Sequence, residues 1–196
     1  STYIGAILIL AAFLATRFLQ KDWRQGFRDS TRHLTCWNGM LASIYLLLLC
    51  LMPTQVAAVL GIGLVSLSLF VLFGRMTAIP HMDPKNKMAI ADIIVHYIVP
   101  IAMVGFMLAG TMGVQYADSS ALWKGLLVYI GIFGAWLLVN FICVKCGMEW
   151  AYKHERTNPF HKDKRQPMRI LLLLWIIVFS FVLTALVSIL LKKKSI

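Results

Sequence analysis

Runs of about 20 mostly apolar residues recur six times along the chain, and charge is largely confined to the intervals between them. A hydrocarbon core about 30 Å thick needs about 20 helical residues to cross it. In lipid every backbone polar group has to be satisfied within the chain, so such runs can only be helices. Residues 3–19, 34–52, 54–73, 89–110, 122–144 and 170–191 therefore predict six transmembrane helices. The expected fold is an all-α, polytopic membrane helix bundle, with residues 1–196 forming one domain. Composition agrees, since 60% of the residues are hydrophobic and 14% charged, against about 45–50% and about 25% in ordinary soluble domains. Residues 3–19 have neither a basic leading region nor a small-residue cleavage site, so they read as a retained span.

The formal net charge of +11 could suggest nucleic acid. Its placement argues against that partner. All lysines and arginines except Lys124, Lys192, Lys193 and Lys194 fall before the second span or in the loops after the third and fifth. Such an imbalance marks the cytoplasmic face. We call that face side A and the opposite one side B, and both termini are expected on side B. The setting is then a cell membrane in a bacterium, or an endomembrane or plasma membrane in a eukaryote. Cys36, Cys50, Cys143 and Cys146 lie in or beside apolar runs, which gives no disulfide framework. Cys143 and Cys146, one turn apart, read as small packing residues, because no second pair or nearby histidine completes a metal site.

Polar side chains inside spans are costly and are candidates for function. Here they are Asn38, Asp92, His96 and Asn140, with Thr35 beside the first. At about 1.5 Å rise per residue, all five fall within roughly 10 Å of the side A end of their helices. Asp92 and His96 are four residues apart, so a carboxylate could fix the tautomer of the imidazole. Pro100 cannot donate to the carbonyl of His96, which predicts a kink at that turn. A hydroxyl, a histidine, an orienting carboxylate and an amide donor are the parts of a nucleophilic site. The same residues also fit hydrogen-bonded packing between helices, worth about 0.6–2 kcal/mol each. Haem ligation by paired histidines is a weaker fit, since His81, His154 and His161 lie in loops and His33 at a helix edge. Trp23, Trp37, Trp123, Trp150 and Tyr152 sit near span ends, as an interfacial aromatic belt would. Gly61 and Gly63, and likewise Gly131 and Gly134, are expected to let helices approach closely.

Three short motifs resemble the androgen-induced family of intramembrane threonine hydrolases and their bacterial membrane-protein relatives. Leu34-Thr35-Cys36-Trp37-Asn38 is similar to the Leu-Thr-x-x-Asn entry to a helix. His96 with Val99-Pro100 is similar to a His-x-x-Val-Pro segment. The loop over residues 150–160, opening on Trp150 and ending Asn158-Pro159-Phe160, is similar to the aromatic-Pro-Phe loop before the last helix. The resemblance implies hydrolysis of lipid esters such as fatty acid esters of hydroxy fatty acids. It implies Thr35 as nucleophile and His96 as base, with Asn38, Asp92 and Asn140 in support and no metal or cofactor. Cys36 ranks behind Thr35, because it is turned about 100° away on the helix. The alternative is a small membrane carrier or lipid-binding protein in which the same cluster holds a headgroup or proton. The chain does not identify a protein partner.

Overall fold

A computed structural model of the chain describes residues 32–78, 93–151 and 162–194. Regular structure among the described residues is entirely helical. Helix α1 (Leu34–Leu48) ends in a 3₁₀ turn, Leu49–Leu51, and α2 spans Thr54–Ala78. A π-helical turn, Ile94–Ile98, leads into α3 (Val99–Leu108). Another 3₁₀ turn, Val114–Tyr116, precedes α4 (Ser120–Lys145), and α5 spans Gln166–Lys194.

Among the described residues four stretches are long and apolar enough to cross a bilayer: Leu34–Leu51, Thr54–Thr77, Ser120–Lys145 and Gln166–Lys194. They match the second, third, fifth and sixth expected spans. The fourth is described only as the shorter apolar helix Ile94–Leu108, and the first lies outside the described residues. Helices α4 and α5, with 26 and 29 residues, run past the apolar runs that predicted them. At 1.5 Å per residue they reach about 39 and about 44 Å, beyond the hydrocarbon core.

Helix α2 is the centre of the bundle, in contact with α1, α3, α4 and α5. Its residues 61–71 are buried without interruption. A helix can be enclosed this way when small residues let neighbours approach from several sides, and Ala57, Ala58, Gly61, Gly63, Ser66 and Ser68 do so here. A Cβ added at Gly63 would lie 2.7 Å from Val128, and one at Gly125 would lie 2.5 Å from Ile62. The α2–α4 contact therefore depends on two facing glycines. Gly61 is crowded as expected, by Tyr45 and Met112, but Gly131 and Gly134 have nothing within 4 Å of such a Cβ. The inward stripe of α4 is Ala121, Gly125, Tyr129, Phe133, Trp136 and Asn140, and the two expected glycines fall off it.

Helix α5 turns the usual amphipathic logic around. Its buried residues are Ile176, Ser180, Thr184 and Ser188, one per turn, while Leu171, Leu174, Val178, Val182, Leu186 and Leu190 are exposed. Small hydroxyl residues against α2 and branched apolar ones outward suit a helix solvated by lipid. Two of the three hydroxyls bond back along the helix, Thr184 to the Ser180 carbonyl at 2.9 Å and Ser188 to that of Thr184 at 2.8 Å, while the buried Ser180 hydroxyl makes no such bond.

Turn chemistry sets the connections. Pro53 precedes α2 rather than occupying its first turn, and its carbonyl accepts the first helical bond, from the Ala57 N–H at 2.9 Å. The Tyr45 hydroxyl bolts α1 to α2 by donating to the Ala57 carbonyl at 2.8 Å. Helix α3 closes in a Schellman turn on Gly110 (φ 74°), whose N–H donates to Met107 while that of Thr111 donates to Phe106. At the far end the Asp118 N–H donates to the Gln55 side chain at 3.1 Å and the Lys192 ammonium to the Asp118 carbonyl at 2.8 Å. That clasp joins the start of α2, the approach to α4 and the end of α5. The Ser120 hydroxyl holds the Asp118 carboxyl below the ordinary carboxylate range.

Candidate functional site

The start of α1 carries two of the expected site residues. His33 is extended (φ −95°, ψ 123°), and its carbonyl accepts the N–H groups of Cys36 and Trp37. Thr35 thus sits in the first turn, 8% exposed. No hydrogen bond ties its hydroxyl to another described residue. Cys36, 2% exposed, packs against Val95 of the π turn. His96, the next residue of that turn, is half-buried.

Proline explains the π turn. Pro100 has no N–H to offer the His96 carbonyl, and the ladder before it shifts register, with the Val99 N–H donating to the carbonyl of Ile94 five residues back. The expected irregularity is present as a change of helical pitch around His96. Such π segments inside α-helices are frequent at functional sites.

The two asparagines are fully buried and look to different neighbours. Asn38 Oδ1 accepts from the Ser68 hydroxyl of α2 at 2.9 Å, and its Nδ2 has no partner among the described residues. Asn140 Nδ2 donates to the carbonyls of Arg32 and Trp136, each at 3.1 Å, and its Oδ1 has no partner among the described residues. The Trp136 indole donates to the same Arg32 carbonyl at 2.8 Å. These contacts tie the start of α1 to the last turns of α4, the π turn and the side A half of α2. Asn38, Asn140, Thr35 and His96 thus lie at one end of the bundle. No hydrogen bond joins Asn38 to Asn140, and Cys36 packs α1 against the π turn. Asp92 lies outside the described residues.

Sequence reasoning passed over three members of this region. Arg32 counted only as a loop charge, Trp136 was not singled out, and Ser68 is neither an ionisable nor an amide side chain. Trp150, expected in the belt, instead packs edge-on against Trp136 at 5.9 Å, while Trp123 is 60% exposed as a belt residue would be. Cys146, expected to pack, is exposed and caps α4. No group of three or more metal-ligating side chains occurs among the described residues. An open groove of about 460 Å³ at the start of α5 is lined by Gln166, Pro167, Ile170, Leu171 and Leu174, none of them a candidate.

Comparisons with protein-family models, with curated proteins and with solved structures find no match to this chain. The likeness to the androgen-induced hydrolases rests on the short motifs quoted above.

Proposed function

We propose that the chain is a six-span membrane protein that hydrolyses lipid esters, with Thr35 as nucleophile and His96 as general base. The observation that carries this reading is the packing of Cys36 on Val95, which seats the neighbours of Thr35 and His96 against one another across two helices. A lipid enters sideways from the side A leaflet. His96 takes the hydroxyl proton as the Thr35 oxygen attacks the ester carbonyl, and the alcohol leaves with a proton returned by the imidazole. Water then cleaves the acyl-threonine, freeing the acid and restoring the hydroxyl. Of the two amides, Asn38 has an uncommitted N–H, so it is the better donor to the oxyanion, a contact typically worth about 2.7–4 kcal/mol. Asp92 orients the imidazole.

Thr35→Ala and His96→Ala should each lower turnover of an ester panel by at least about a hundredfold while the protein stays folded. Wild-type rates in both folded variants would sink the assignment. The separate partners of Asn38 and Asn140 favour a second reading, a carrier or lipid-binding protein with no covalent step. Fluorophosphonate labelling that disappears in Thr35→Ala supports the hydrolase, and absence of labelling in active wild-type preparations supports the binder.

A further inference from the structure

Arg32 stands just before the cap of α1, with 9% of its surface exposed. Its carbonyl is gripped twice from α4, by the Trp136 indole at 2.8 Å and the Asn140 amide at 3.1 Å. The backbone is therefore pinned at the side A end of the bundle and cannot readily swing outward. The guanidinium has no such anchor. Its Nε and Nη2 atoms are buried and make no hydrogen bond with any described residue.

Those two atoms share one edge of the guanidinium plane, and their N–H bonds run parallel. This fork matches two oxygens of a phosphate or carboxylate. Arginine cannot shed its proton to escape burial, and an uncompensated buried cation is strongly unfavourable. The described acidic side chains do not answer it. Asp163 is paired with Arg169 at 2.6 Å, and Asp118 is bonded to Ser120 at the opposite end of α4. Glu149 is engaged by other contacts.

We propose that the Nε–Nη2 edge of Arg32 binds a phosphate oxyanion, supplied by a lipid headgroup in the side A leaflet or by free phosphate in the adjoining solution. The site is independent of ester cleavage, because binding needs neither Thr35 nor His96.

The test titrates purified full-length protein, in neutral detergent, with phosphatidic acid, diacylglycerol and inorganic phosphate, following binding by calorimetry. Wild type should bind phosphatidic acid or inorganic phosphate at least tenfold more tightly than diacylglycerol. Tighter binding of phosphatidic acid identifies the lipid as the source, and tighter binding of inorganic phosphate identifies the free ion. Arg32→Gln should lose that preference, and Arg32→Lys, which keeps the charge but not the fork, should fall between. A folded Arg32→Gln protein with wild-type affinity for both phosphates overturns the proposal. Should that variant not fold, thermal unfolding of the wild type decides: a Tm raised by either phosphate and not by diacylglycerol supports the site, and a Tm raised by neither overturns it.

Discussion

Asn38 shows how much one polar side chain can specify inside an apolar bundle. It is completely enclosed and takes a hydrogen bond from Ser68 across the α1–α2 interface. Lipid tails offer no competing donor, yet the unfolded helices also find partners, which limits the worth of such a bond. Asn38→Ala and Ser68→Ala should each destabilise the protein by about 1 kcal/mol, with a coupling of about 0.6 kcal/mol and at most about 1.7 in a double-mutant cycle. Unfolding in mixed micelles measures this, and strictly additive losses would mean the bond contributes nothing. Asn38 was legible in the sequence as an amide within an apolar run. Its partner was not. Ser66 and Ser68 lie two residues apart on α2, yet Ser66 bonds back to the Ile62 carbonyl while Ser68 bonds across to Asn38. Which of the two happens depends on the face each presents to α1, and a helix buried on all sides leaves no periodicity from which to read a face.

Among the elements, the α2–α4 pair has the strictest geometry. Gly63 faces Val128 and the Gly125 carbonyl, and Gly125 faces Ile62 and the Val59 carbonyl, so each glycine sits against the other helix's backbone. Gly125→Val would force the helices apart, at a cost of about 1–3 kcal/mol typical of overpacked cores. Gly131→Val, six residues on and facing open space, should change stability by less than about 0.5 kcal/mol. Equal melting temperatures for the two variants would contradict this packing. The sequence showed that α4 is a helix of spanning length, because a long apolar run permits nothing else in lipid. Which glycine would be crowded was hidden, because the inward stripe of α4 mixes Gly, Tyr, Phe, Trp and Asn and is no more apolar than its outer face. The stripe on α5 was open to discovery: Ser180, Thr184 and Ser188 recur every four residues, a spacing that marks the packed face once lipid, not water, is taken as the solvent.

At the scale of the whole molecule, internal sidedness follows from two clamps and does not depend on counting charge. The Trp136 and Asn140 bonds to Arg32 set the start of α1 beside the last turns of α4. The clasp of Gln55, Asp118 and Lys192 gathers the start of α2, the approach to α4 and the end of α5 at the opposite end. Cys50 follows the end of α1 and Cys146 caps the end of α4, so they belong to opposite faces, and both thiols are exposed while Cys36 is buried. The positive-inside imbalance predicts the absolute direction, with Cys146 expected on the cytoplasmic face. The protein thus carries its own topology probes. In sealed right-side-out vesicles, a variant keeping only Cys50 should react with a membrane-impermeant maleimide at once, and a variant keeping only Cys146 should react only after permeabilisation. The reverse pattern would invert the orientation and leave the bundle intact. Labelling of both thiols from the same side would be incompatible with the antiparallel arrangement itself, because no rigid rotation of these helices brings the end of α1 and the end of α4 to one surface while Arg32 stays bonded to Asn140.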